Sequence, residues 1–88
     1  MKKMKVFSEG FIIDKRCFGE GAQPFCIHRV RFTNGKYGIV RARSGVCFNP
    51  GDIIIKNETG WQYDQKQVYL LAFEYVDENE SIRQFVEY

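Results

Sequence analysis

Apolar and aromatic residues fall in short runs separated by Gly, Pro, Asn and Asp, a punctuation that predicts strands rather than long amphipathic helices. Residues 6–13, rich in β-branched and aromatic types, predict a strand with Phe7, Phe11 and Ile13 on one face and a bend or bulge at Gly10. Residues 19–24 read as a loop. Residues 25–33 and 36–43 flank Asn34-Gly35, two residues that tolerate positive φ, and so predict a hairpin. Asn49-Pro50-Gly51-Asp52 predicts a turn into the strand Ile53–Asn57, and Glu58-Thr59-Gly60 a second turn into a short aromatic strand at 61–63. The apolar run 68–76 predicts a central strand. In residues 81–88, Ile82, Phe85 and Val86 have helical spacing, while Ile82, Val86 and Tyr88 fit a strand returning after the acidic turn 77–80; the strand is the reading adopted. Five or six short strands imply one all-β domain over residues 1–88, a small antiparallel barrel of OB-like or SH3-like type.

Alternation decides where the arginines go. A plain two-residue turn opposes Phe32 to Tyr37 and Val30 to Ile39, and then both sheet faces mix apolar and charged side chains. One extra residue at Gly38-Ile39 opposes Val40 to Val30, Arg41 to Arg29 and Ala42 to His28. The faces then separate: Cys26, His28, Val30, Phe32, Tyr37, Val40 and Ala42 toward the core, and Arg29, Arg31, Lys36, Arg41 and Arg43 outward.

Charge sharpens that picture. The 88 residues carry 13 Lys and Arg against 11 Asp and Glu, a net +2, but residues 21–51 hold five basic side chains and no acid. Residues 52–88 hold eight acids against three bases. A cluster of like charges on one curved sheet face calls for an anion. Nucleic acid is the expected partner, with Trp61 and Tyr63 as stacking platforms beside the five basic residues. The competing readings are an acidic protein surface and a face that is simply solvated. Taken individually, Trp61 and the other aromatics read as core more readily than as platforms, because a small barrel must fill its interior. Asp77, Glu78 and Glu80 read as a solvated turn.

Other chemistry is thinly represented. Cys17, Cys26, His28 and Cys47 have the residue types of a zinc site, yet C-x8-C-x-H-x18-C lacks the close ligand pairs of a zinc knuckle, so no metal is expected. Three cysteines cannot all pair within one chain, and free thiols in a reducing cytosol are the expectation. There is one His, and no nucleophile motif, Walker loop, dinucleotide fingerprint or H-E-x-x-H sequence. Cys26 and His28 read as a core pair, and Asp14 with Glu20 as solvating acids. No catalytic residue and no cofactor are expected. Apolar runs are too short for an export signal or a membrane span, which predicts a cytoplasmic protein with no membrane partner. The functional expectation is a non-catalytic module binding single-stranded nucleic acid through Arg29, Arg31, Lys36, Arg41, Arg43, Trp61 and Tyr63. The alternative is a small protein-binding factor, such as a phage or mobile-element inhibitor of a host protein, and a homo-oligomer is a further candidate assembly.

Overall fold

The computed structural model describes residues 6–19 and 24–88 and is organised around one long strand, β1 (Val6–Phe18). Its first half pairs antiparallel with β4 (Ile53–Asn57) and its full second half with β2 (Phe25–Phe32). β3 (Tyr37–Val40) adds beyond β2, while β5 (Gly60–Tyr63) and β6 (Lys66–Val68) add beyond β4. The result is a six-stranded antiparallel sheet in the order β3-β2-β1-β4-β5-β6. A 3-10 turn, Arg43–Gly45, follows β3, and a helix, α1 (Glu78–Glu87), ends the chain. Much of the loop expected at 19–24 lies outside the described residues, as do the basic residues Lys2, Lys3 and Lys5.

The ladder is not closed. After β6 the chain crosses to the β3 edge and touches it through two isolated bridges, Ala42 with Leu70 and Tyr37 with Val76. Backbone bonds from Arg43 to Tyr69 and from Leu71 to Arg41, each 2.8 Å, anchor this crossing. The expected strand at 68–76 is therefore a short β6 followed by irregular backbone. Its side chains are used for filling: Leu70 and Phe73 pack against a core of Ile12, Val30, Phe32, Val40, Ala42, Phe48 and Ile54. Packing against the core accounts for the apolar character that a central strand would also have required.

The register differs from the expected one. The extra residue is Ile13 on β1, where pairing shifts between Ile12–Val30 and Asp14–Arg29, and no bulge interrupts Gly38-Ile39. β2 and β3 are joined by residues 33–36, with Gly35 N–H donating to Phe32 O (3.0 Å) and Phe32 N–H to Lys36 O (2.9 Å). Gly35 adopts φ +83°, the left-handed position such loops require. Val30 consequently opposes Gly38, His28 opposes Val40, and Arg31 opposes Tyr37. Tyr37 thus points away from the core, contrary to expectation, whereas Cys26, His28, Val30, Phe32, Val40 and Ala42 are buried as expected.

Residues 81–87 are helical rather than extended, with Tyr88 as the C-cap. Asp77 caps the helix, its Oδ1 accepting from Glu80 N–H at 2.7 Å, and Asp and Glu in the first turn complement the helix dipole. The helix buries Ser81 and Phe85 against β2 and β3. Tertiary packing decides the helix–strand ambiguity here, because an amphipathic helix needs a face to cover. Among the described residues, no helix is long and apolar enough to cross a membrane.

Candidate binding face

Alternation along the paired strands sends Phe11, Asp14, Arg16 and Phe18 of β1, and Phe25, Ile27, Arg29 and Arg31 of β2, to the outer side of the sheet. Tyr37 and Ile39 of β3 join them. Four guanidinium groups lie over aromatic rings on this side. Arg41 is 3.8 Å from the Phe25 centroid, Arg16 is 4.9 Å from Phe18, Arg31 is 5.6 Å from Phe11, and Arg29 is 5.9 Å from Tyr37. Phe18 and Phe25 stack at 5.5 Å, and Tyr88 at the end of α1 closes the cluster.

Among the described residues the ion pairs lie within α1, where Arg83 holds Glu80 and Glu87. Asp14 stands opposite Arg29 in the ladder, and its Oδ1 accepts the Lys15 N–H at 3.0 Å. Arg29 Nη1 is buried with no hydrogen-bond partner. Arg16 Nη1 donates to the carbonyls of Phe85 and Val86 and so caps the C-terminal end of α1. Arg16 was not among the sequence candidates; its place on the face depends on the Ile13 bulge, which reverses the side of every later β1 residue.

The expected site residues divide into groups. Arg29, Arg31 and Arg41 share the outer face. Lys36 is exposed in the β2–β3 loop, where its N–H donates to Asn34 Oδ1 (2.8 Å), and Arg43 is exposed in the 3-10 turn. Trp61 and Tyr63 are half-buried and pack on the core instead: Trp61 lies 5.8 Å from Phe32 and Tyr63 lies 4.8 Å from Phe48. Tyr63 donates its hydroxyl to Asp52 Oδ2 at 2.8 Å. The structure does not bring these two rings to the arginine face. Their place is taken by Phe18, Phe25 and Tyr88, which sequence alternation alone could not group because the pairing of β1 with β2 was unknown.

Beside α1 lies a cleft of about 570 Å³, lined by Ile27, Ile39, Arg41, Leu71, Phe73 and Tyr88 among others. Arg41 also borders a second cleft with Pro24, Phe25, Ser44 and Leu71. It therefore forms the wall between two concave surfaces, with an aromatic ring on one side of its guanidinium.

The buried imidazole and the sulfurs have separate roles. His28 is fully buried; Nε2 accepts the Phe48 N–H and Nδ1 donates to Val40 O, both at 2.9 Å. Burial lowers its pKa below 6.5. Cys26 and Cys47 are joined in a disulfide, correcting the expectation of three free thiols, and Cys17 remains free and exposed. No group of three or more metal-ligating side chains occurs among the described residues. Comparison of the chain with protein families, curated proteins and solved structures finds no match.

Proposed function

We propose that this chain is a non-catalytic binding module that takes single-stranded nucleic acid on the part of the outer face of β1, β2 and β3 that α1 leaves open. The reading rests on one observation: Arg16, Arg29, Arg31 and Arg41 lie over aromatic rings and, among the described residues, none of them is ion-paired with a carboxylate. A guanidinium over a ring keeps its charge, so it can meet a phosphate or a base. Unpaired bases supply the stacking partner, at about 1 to 3 kcal/mol each. Lys36 and Arg43 extend positive charge beyond the two ends of β3. A small barrel of OB-like type is the architecture that this use of a curved sheet face resembles.

Fluorescence anisotropy with labelled single-stranded DNA and RNA tests it. Affinity should fall about tenfold or more between 50 and 200 mM salt if several phosphates are contacted. The double change Arg31→Glu, Arg41→Glu should abolish binding with the fold intact. These two are chosen over Arg29, whose Nη1 is buried. Absence of binding at micromolar protein in the lower salt overturns the proposal.

A protein-binding factor is the second reading, favoured by α1, which exposes Ile82 and Val86 one turn apart. Capture of a stoichiometric protein from nuclease-treated lysate, lost on Val86→Glu, would support it over nucleic acid.

A further inference from the structure

We propose that Cys17, Cys26 and Cys47 form a thiol–disulfide exchange centre in which Cys26 can be bonded to either of the other two. Cys17 Sγ lies 3.2 Å from Cys26 Sγ, the sulfur already bonded to Cys47. Cys17 and Cys26 are also direct partners in the β1–β2 ladder, so their side chains leave the same side of the sheet. Directly opposed antiparallel residues have Cα atoms about 4.5 to 5.5 Å apart, inside the range a disulfide spans. The existing bridge joins Cα atoms 5.5 Å apart. Both bonds therefore suit this backbone, and they exclude one another because they share Cys26.

The step is balanced within the chain. Cys17 gives its thiol proton to water and its thiolate attacks Cys26 Sγ. The Cys17–Cys26 bond forms as the Cys26–Cys47 bond breaks, and the electron pair leaves on Cys47 Sγ, which takes a proton from water. One disulfide and one thiol are present before and after, so no oxidant or reductant is consumed. Cys26 is buried whereas Cys17 and Cys47 are exposed, which puts the shared sulfur inside and the alternating thiol at the surface. Exchange unties the segment after the 3-10 turn from β2 and presents a thiol there in place of one on β1. That segment follows Arg43 and Ser44, and Ser44 borders the cleft beside Arg41.

The inference stands apart from the nucleic-acid reading. Its test is disulfide mapping of the full chain, purified without reductant, alkylated with N-ethylmaleimide in native buffer and digested for mass spectrometry. Two species are expected: label on Cys17 with Cys26–Cys47 bonded, and label on Cys47 with Cys17–Cys26 bonded. The Cys47→Ser variant should carry the Cys17–Cys26 bond and take no label; Cys17→Ser should carry Cys26–Cys47 alone. In denaturant the shortest loop is favoured and Cys17–Cys47 bonding also becomes accessible, so that bond appears only in the unfolded chain. A single native isomer, three labelled thiols, or Cys17–Cys47 bonding in native buffer overturns the proposal.

Discussion

His28 receives the backbone N–H of Phe48 on Nε2 at 2.9 Å, which requires the proton on Nδ1, where it meets Val40 O. The ring must stay neutral for both bonds to persist, and burial, the largest influence on it, holds its pKa below 6.5. The unfolded chain therefore binds more protons just below 6.5, so stability is fully present above that value and is lost on acidification toward the folded-state pKa. Urea midpoints should fall between about pH 7.5 and about pH 5. His28→Leu should remove this pH dependence and cost about 1 to 3 kcal/mol by stranding two buried backbone groups. An unchanged midpoint across the window would contradict the neutral tautomer.

Asp52 governs a second, more acidic window. Its Oδ2 accepts the Asn49 N–H and the Tyr63 hydroxyl, both at 2.8 Å, and these bonds, Asn49 first, lower its pKa below 3.8. Its contribution is present above about pH 4 and is lost as the pH falls through the lowered value. The carboxylate is partly exposed, so Asp52→Ala should cost about 1 kcal/mol or less after solvent screening. Acid unfolding of Asp52→Ala should accordingly show a shallower loss below about pH 4 than that of the parent chain.

The same substitution at two glycines should fail for different reasons. At Gly10, a Cβ would stand 2.7 Å from Val30 Cγ1 and 3.0 Å from Phe32 Cε1, so Gly10→Ala should cost about 1 to 3 kcal/mol by overpacking. Gly35 has open space around it but sits at φ +83°, and Gly35→Ala should cost about 1 kcal/mol from backbone strain alone. Gly35→Asn separates the two causes, since Asn tolerates this conformation and should recover most of the loss. Chemical denaturation measures all three.

Removing the helix cap with Asp77→Ala should lower stability by about 1 kcal/mol. Because α1 lies over β2 and β3, the loss should appear as faster amide exchange in Ser81 and Phe85. Exchange unchanged at these positions would mean that packing on β2 and β3, and not the cap, holds the helix.

Much of the face assignment was legible beforehand. The alternation in β2 separates His28, Val30 and Phe32 from Arg29 and Arg31 without any knowledge of a partner strand, and the Ile53–Asn57 strand is announced by the turn before it. The expected bulge at Gly38-Ile39 was misplaced, yet Arg41 still shares a face with Arg29 and Arg31. Beyond the expected bulge the observed pairing differs from the expected one by two residues, which leaves the faces of Val40, Arg41 and Ala42 unchanged, whereas Tyr37, before it, changes side. Residues 68–76 and 81–88 were misread because apolar content alone does not distinguish a paired strand from a segment filling the core, nor a short helix from a strand.

The chain's own pattern determined that His28, Val30 and Phe32 of β2 face the core and that Arg29 and Arg31 face outward, because side-chain direction in a strand repeats every two residues. Only the assembled fold decided the Ile13 bulge, the aromatic rings beside the four arginines, the packing of α1 against β2 and β3 and the meeting of three cysteines. Those are contacts between residues distant in sequence, set by strand offset and packing, quantities that no local periodicity encodes.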